Sequence, residues 1–417
     1  MKNAGGIDLE RWYQKMLFAL YSSTFIIRLC FGIILILLPY YLKHNVSDFM
    51  FGIIWGASPF AEMLSVMFLG VAVDKFGRKK VLLVGLVTGA ISLFLYALTT
   101  NPHVLIVVNA FHGIAAASIL VASLALVADY APPDSRGREM GAFDFANLFG
   151  WFSGFLVGGL LADRFASNLQ IPFVIGGLLA LAGCVLAYLA IVEPKLHKFI
   201  AKEITPRHVV SVITSREILL LILPWLMLYI IVGVILSFFS MESAKISMAG
   251  THLALVLGGG GTIFLITQVF FGKLADRYGR IPILFMGTAG ILGVVSIVAY
   301  SVHLSPERNV EGLIAVLMQN KILLGFLGVS AFFAGAFGPS SLASLADECP
   351  EKAKGVTMAL YSIVISAGMS IGAPAAGFLN EYSGTMAVFL LLLGCGGLMC
   401  LFVVFRYFDV RKAGKRR

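Results

Sequence analysis

The stretch GVAVDKFGRK at residues 70–79 decides the fold, because it recurs in altered form as GKLADRYGRI at residues 272–281. Each copy lies where one long apolar run ends and the next begins. The shared pattern is G-x-x-x-D-x-x-G-R, a short charged loop, and the two copies are 202 residues apart. One such loop in each half of a very hydrophobic chain indicates a duplicated membrane carrier.

A second pair of segments supports the duplication. Residues 128–137 (ADYAPPDSRG) align with residues 346–355 (ADECPEKAKG) at an offset of 218, and the register continues to Gly159 and Gly377. The larger offset places about 16 extra residues between the ninth and tenth apolar runs, at 303–319. Two motifs in the same order predict two halves. We expect an N-terminal bundle at 1–192, a basic linker at 193–216 and a C-terminal bundle with a basic tail at 217–417.

The composition predicts an all-α integral membrane protein. The chain is 59% hydrophobic and 13% charged, with a mean hydropathy of +0.93, whereas soluble domains carry about 25% charged residues. Apolar runs of roughly 20 residues can each cross the bilayer as a helix. The runs are continuous rather than alternating, which excludes barrel strands. The predicted spans are 17–42, 49–72, 81–100, 104–128, 139–162, 171–192, 217–240, 251–274, 281–302, 321–346, 355–379 and 385–406.

The distribution of Lys and Arg predicts the orientation. If both termini lie inside, the inner segments hold 25 of the 31 basic residues, the outer segments hold five, and Arg28 lies within the first span. This excess predicts cytoplasmic termini in the cell membrane. The first span has no cleavage site after it and is expected to remain as an anchor. The basic loops favour anionic lipid headgroups as partners, rather than nucleic acid. Residues 195–202 could form a basic amphipathic helix or a simple tether.

These features together resemble the major facilitator superfamily over essentially the whole chain. The resemblance implies a monomeric transporter of a small molecule, with no enzymatic activity, that rocks two six-helix halves about a central site. The five cysteines are scattered, and the G-x-x-x-x-G-K-[ST] pattern is missing. We therefore expect no cofactor, no metal and no direct drive by ATP.

The resemblance also implies an inner gate formed by the repeated loop. Asp74 and Asp276 would face the start of a helix in the opposite half, where a carboxylate is favourable. The second glycine of each loop permits the positive φ of a tight turn, and the first permits close helix packing. The arginines would pair across the same seam; alternatively, the basic residues only set the topology. The predicted gate residues are Gly70, Asp74, Gly77, Arg78, Gly272, Asp276, Gly279 and Arg280.

Four ionisable residues fall within the predicted spans of the first half, and charges at such depths usually face a cavity and a partner. Arg28 and Glu62 lie at similar depths on neighbouring helices, which predicts an ion pair. Three interpretations stay open: the pair is structural, Glu62 alternates between a proton and Arg28, or Arg28 binds an anionic substrate. Asp144 would bind a proton at the inner mouth or pair near the gate. His112 would be a neutral, hydrogen-bonded side chain or a proton carrier.

Further polar residues complete the predicted cavity. Tyr21, Thr24 and Arg28 share one face of the first helix, which should line the cavity. In drug–proton antiporters of the family an Arg stands early in helix 4, where this chain has Asn109. The main polar groups within the spans of the second half are Tyr229, Gln268, Tyr361, Ser362 and Ser366, of which Tyr229 and Gln268 are the cavity candidates.

Glycines in helices 5 and 11 resemble the antiporter pattern G-x-x-x-G-P-x-x-G-G, although Phe155 replaces the proline. We expect them to pack closely against a helix of the other half. These glycines are Gly150, Gly154, Gly158 and Gly159 in helix 5, with Gly368 and Gly372 in helix 11.

An apolar cavity with few polar groups suits lipophilic solutes. The sequence therefore favours proton-coupled efflux of small apolar or amphipathic compounds. The rival interpretation is a proton-coupled symporter that takes up a small organic anion or metabolite. An alternative of another class is a non-transporting membrane receptor or scaffold.

Overall fold

The computed structural model describes residues 9–42, 46–131, 136–193, 215–305, 310–348 and 354–414. Within these ranges every regular element is a helix. Twelve of the helices are long and apolar enough to cross a membrane. The prediction of an all-helical protein with twelve membrane spans is confirmed.

Most helix ends lie within five residues of the predicted spans, but the first helix begins eight residues earlier than predicted and the last ends eight residues later. The first half contains α1 (Leu9–Leu42), α2 (Asp48–Phe76), α3 (Arg78–Leu98), α4 (Pro102–Tyr130), α5 (Arg136–Arg164) and α6 (Gln170–Ala190). The second half contains α7 (Arg216–Lys245), α8 (Gly250–Tyr278), α9 (Arg280–Leu304), α10 (Lys321–Ala334 and Phe337–Glu348), α11 (Lys354–Ser383) and α12 (Thr385–Gly414). Helix α8 contains a π-helical turn at Leu255–Gly259.

Local sequence explains where these helices begin and end. Gly77 and Gly279 have φ values of 101° and 90°, the positive values that the tight turns between α2 and α3 and between α8 and α9 require. The Asn101 side chain accepts a hydrogen bond from the backbone N–H of His103 and caps α4. The extra residues between α9 and α10 include a short helix, Val310–Gln319, at the place that the repeat offsets predicted.

The chain divides into two compact units. The first contains Met1–Asn45, Phe60–Ile200 and Met248–Gly258; the second contains Val46–Pro59, Ala201–Ser247 and Gly259–Arg417. Each unit is built mainly from one half of the sequence and also holds the first turns of one helix from the other half. The predicted amphipathic helix at 195–202 lies outside the described residues.

Each unit has the same central helix pair: α1 packs along α5 in the first unit and α7 along α11 in the second. A Cβ on Gly154 would overlap the backbone of α1 at Leu29, and one on Gly372 would overlap the backbone of α7 at Ile230. Glycine lets these backbones touch, so the small residues set the spacing of the pair.

This packing corrects the expectation that the glycines face the other half. Gly150 and Gly158 also pack against α1, and Gly368 packs against α7. Gly159 alone of the six meets a helix from the other half, the start of α8 at Gly250. The period of the glycines identifies a packing face, but it does not identify the helix that lies on that face.

Candidate functional site

Three charged side chains from three helices of the first unit interact electrostatically. Arg28 of α1 interacts electrostatically with Glu62 of α2 and, more weakly, with Asp144 of α5. The guanidinium carbon of Arg28 lies 5.8 Å from the centre of the Phe31 ring. Its buried Nε has no hydrogen-bond partner among the described residues. The structure thus places Glu62 near Arg28, as the helix depths predicted, and adds Asp144 to the same cluster.

The charges of this cluster do not balance. One guanidinium faces two carboxylates, so the fully ionised cluster carries one excess negative charge. An uncompensated charge at a partly buried site is unfavourable, and a single bound proton or cation removes it. The cluster can therefore bind one proton or one other cation.

His112 of α4 lies behind this cluster. Its ring centre is 3.8 Å from that of Phe31, and its Nδ1 is 3.5 Å from the Ser92 hydroxyl oxygen. The side chains of His112 and Ser92 are both buried. Asn109, one turn earlier, is also buried and donates a hydrogen bond to the backbone oxygen of Leu105. His112 and Asn109 thus pack into the helix bundle, and His112 reaches Arg28 electrostatically.

Asp144 differs from its partners because it is exposed. Asn147, one turn later, hydrogen-bonds its carboxylate. The rings of Phe145 and Phe149 stack beside it, 5.5 Å apart and 13° from parallel, and Phe25 of α1 lies 5.8 Å from Phe149. An accessible carboxylate beside an aromatic surface can contact both the charge and the apolar body of an amphipathic solute.

Part of the predicted polar face on α1 does not line a cavity. Thr24 is 1% exposed, which corrects the expectation that it lines the cavity. Tyr21 donates a hydrogen bond to the Glu139 carboxylate, 2.9 Å away, and so ties α1 to the first turn of α5. Glu139 in turn pairs with Arg138 at 2.8 Å. Tyr21 therefore has a packing role that its position on the helix face did not indicate.

The two candidates of the second half lie in the second unit. Tyr229 stacks on Trp225 at a ring distance of 5.7 Å and packs against Gly368 of α11. The Gln268 amide of α8 lies beside Gly338 of α10. Both are partly buried against neighbouring helices.

The first copy of the turn motif is tied to its own half. Arg78 pairs with Asp129 of α4 at 2.8 Å and with Asp74 at 3.5 Å, whereas the sequence predicted a partner in the other half. The Glu193 carboxylate accepts hydrogen bonds from the backbone N–H groups of Arg78 and Lys79, at 2.7 and 2.8 Å. Glu193 therefore caps α3.

In the second copy, Arg280 donates to the backbone oxygen of Ala343 in α10. Asp74 and Asp276 have exposed side chains, and their role in a gate remains a prediction. A Cβ on Gly70 would meet no described atom within 4 Å, and one on Gly272 only Pro339 at 3.7 Å. The expectation of close helix packing at these two glycines is wrong, because both lie on open faces of their helices.

Three partners in the site were missed by the sequence reasoning. Asp129 lies in the second repeated motif and aligns with Asp347. An acid present at a helix end in both copies suggests a role, so the sequence did contain a signal for Asp129. Glu139 and Glu193 gave no such signal. Each is a lone acid beside basic residues, and only the packed helices place it against its partner.

The chain matches the family model of the Major Facilitator Superfamily over residues 20–328 and 312–417. It is 24% identical over 382 residues to an uncharacterised transporter of that type from Methanocaldococcus jannaschii, covering 89% of this chain and 92% of the relative. It is 23% identical over 267 residues to the quinolone resistance protein NorA of Staphylococcus aureus, covering 64% and 68% of the two chains.

A solved structure of the nucleoside transporter NupG aligns with a TM-score of 0.74 at 14% identity, covering 94% of this chain and 100% of that one. At this identity the likeness concerns the fold alone.

Proposed function

Because the chain belongs to the major facilitator superfamily and is a membrane transporter rather than an enzyme, we propose that it exports apolar or amphipathic compounds in exchange for protons. The observation that carries the proposal is the cluster of Arg28, Glu62 and Asp144, in which two acids share one base. Its excess negative charge provides a place for one proton in each transport cycle.

In the proposed cycle Glu62 is the main proton site. A shift of the Arg28 side chain relative to Glu62 within the first half, coupled to the rocking of the two halves, changes the proton affinity of the carboxylate. This affinity falls as the cation approaches and rises as it withdraws. Asp144 is exposed and lies beside Phe145 and Phe149, so it meets the solute or the proton at the mouth of the site. His112 packs at a tilt against the Phe31 ring, which in turn contacts the Arg28 guanidinium.

The charge count also separates the two transport hypotheses. A small organic anion would add a second or third negative charge to a cluster that already has one in excess. A neutral or cationic amphipathic solute meets no such cost, and the aromatic rings beside Asp144 suit its apolar part. The partial likeness to a quinolone resistance protein favours the same direction, because a transporter that confers resistance is expected to move a compound out of the cell.

We place the carrier in the cell membrane with both termini in the cytoplasm, on the basis of its Lys and Arg distribution. In this orientation the Gly77 and Gly279 turns face the cytoplasm, where Asp74 and Asp276 would hold the inner gate shut. Anionic headgroups of the inner leaflet would contact the basic loops. We propose that the monomer is the transporting unit.

The test is flux in proteoliposomes that contain the full chain. With an acidic interior, exchange for protons should accumulate a quinolone or a lipophilic cation inside, and an uncoupler should abolish this accumulation. Glu62→Gln should lose accumulation but keep exchange of labelled for unlabelled solute, because rocking does not itself need the proton. Glu311→Gln, at an exposed acid of the short helix Val310–Gln319, is the matched control.

Other outcomes would reject parts of the proposal. Accumulation driven by an acidic exterior would support the symport hypothesis instead. Full gradient-driven accumulation in Glu62→Gln would reject Glu62 as the coupling site and make Asp144 the next residue to replace. No flux of any compound, with specific binding retained, would support a receptor.

A further inference from the structure

Two carboxylates at equivalent positions of the repeat each bind the start of a helix from the other sequence half. Asp163 at the end of α5 accepts hydrogen bonds from the backbone N–H groups of Gly250 and Thr251, at 2.6 and 3.0 Å, in the first turn of α8. Glu381 at the end of α11 accepts one from the backbone N–H of Phe49, at 2.9 Å, in the first turn of α2.

The two contacts are built from matching residues. Asp163 and Glu381 differ by 218 positions, and Phe49 and Thr251 differ by 202; these are the two offsets of the repeat. The first N–H groups of a helix have no partner within the helix, and its N-terminus is electropositive. A carboxylate in this position accepts hydrogen bonds from these N–H groups and places a negative charge at the electropositive end. Each acid therefore attaches a helix of one half to a helix of the other.

Close backbone packing accompanies each carboxylate. A Cβ on Gly159 would lie 2.5 Å from the backbone oxygen of Gly250, and one on Gly377 would overlap that of Asp48. Each glycine stands four positions before the acid, one helical turn along the same face. Glycine and acid together thus hold the two helix ends in direct contact.

The contact at α2 has a second layer of polar groups. Lys245 at the end of α7 pairs with Asp48 and with Glu242, the latter at 2.7 Å. Asn380 of α11 donates to the Asp48 carboxylate at 2.6 Å. These contacts join the ends of α7 and α11 to the start of α2. At the α8 contact, the Thr251 hydroxyl donates to Asp163 at 2.6 Å.

Both contacts lie at the ends of α2 and α8 opposite to the Gly77 and Gly279 turns. We propose that Asp163 and Glu381 form an outer latch, which holds the outer side of the carrier closed and opens when the central site is exposed to the outside. Rocking separates α5 from α8 and α11 from α2 at this side, and the carboxylates must then release the N–H groups. The latch would be the counterpart of the inner gate at Asp74 and Asp276.

The first test is the accessibility of single cysteines at the outer and inner mouths, in a chain whose native cysteines are replaced. Loss of one carboxylate at an exposed helix N-terminus corresponds to about a two- to fivefold change in an equilibrium. Asp163→Ala and Glu381→Ala should increase labelling of the outer probe by a factor in this range and decrease labelling of the inner probe. Asp163→Asn retains an oxygen acceptor and should give a smaller change.

Glu311→Ala is the matched control. Glu311 is an exposed acid in the first turn of the short helix Val310–Gln319, and the proposed latch does not involve this helix. Unchanged labelling in both Asp163→Ala and Glu381→Ala would overturn the latch. This measurement needs neither substrate nor a pH gradient. The labelling experiment can therefore reject the latch while the flux assay supports proton-coupled export, and it can support the latch while the flux assay rejects export.

A cross-link provides a second test if an alanine variant folds poorly. Asp163→Cys combined with Thr251→Cys should form a disulfide or accept a short bis-thiol reagent, since the native side chains are in contact. Cross-linking should stop transport and protect the outer probe, and reduction should restore both. Asp163→Cys alone controls for the reagent. Undiminished transport by the fully cross-linked protein would overturn the proposal.

Discussion

Replacement of Arg28 should destabilise the protein more than replacement of either acid around it. Arg28→Gln leaves Glu62 and Asp144 without their shared cation, and leaving a partly buried charged group without its partner costs about 1–3 kcal/mol. Glu62→Gln removes the excess charge and leaves Arg28 paired with Asp144, so we expect a change within about 1 kcal/mol. This asymmetry follows from the observation that Arg28 interacts with both carboxylates.

The double variant Arg28→Gln/Glu62→Gln tests the same arrangement by measuring the interaction free energy between the two residues in a double-mutant cycle. It leaves a single unpaired acid, so it should be more stable than Arg28→Gln alone, and the two changes should deviate from additivity by at least ~1 kcal/mol. Melting temperatures of the four proteins in one detergent, measured from the monodisperse fraction that remains after heating, give the comparison. Equal losses for Arg28→Gln and Glu62→Gln, or strictly additive losses, would refute the shared-cation arrangement.

Three further predictions concern helix packing and capping. Gly154→Ala should separate α1 from α5 and destabilise the protein by about 1–3 kcal/mol. Gly141→Ala on the same helix, where a Cβ meets no described atom within 4 Å, should leave the stability unchanged or raise it by up to about 1 kcal/mol; the melting temperatures of the two variants decide this. Glu193→Ala should lower the melting temperature by removing two hydrogen bonds at the start of α3, a loss of about 1–2 kcal/mol, and an unchanged value would contradict the capping role. Tyr21→Phe should cost about 1 kcal/mol and leave gradient-driven flux intact, because its hydroxyl bonds Glu139 rather than the charged cluster; a loss of coupling would return Tyr21 to the proton path.

The helices and turns were predictable because they depend on nearby residues. Continuous apolar runs must form helices in a bilayer, and a turn that needs positive φ needs glycine, as at Gly77 and Gly279. The neighbourhood of Arg28 and Glu62 was predictable for a similar reason, since a fixed rise of 1.5 Å per residue converts sequence position into depth.

The partners of charged residues were not predictable in this way. Tyr21 and Glu139 are 118 positions apart, and Arg78 and Asp129 are 51 apart. Such pairs depend on which helices are neighbours and how each is rotated, and neither hydropathy nor periodicity contains this information. The glycines of α5 illustrate the same limit: their spacing identified a packing face correctly, but α1 rather than a helix of the other half lies on it.

The proposed inner gate and outer latch must act on the same equilibrium in opposite directions, and a double variant can measure this. Asp74→Asn should weaken the inner gate and favour the inward-open state, while Asp163→Ala should weaken the outer latch and favour the outward-open state. Each change is worth about 0.3–1 kcal/mol at an exposed helix end, and the two sites lie at opposite membrane faces, where effects are expected to add. Asp74→Asn/Asp163→Ala should therefore restore the wild-type ratio of inner to outer cysteine labelling within about a factor of two. If the double variant instead keeps the full shift of either single variant, the two carboxylates do not oppose each other, and at least one of them has no part in holding the carrier closed.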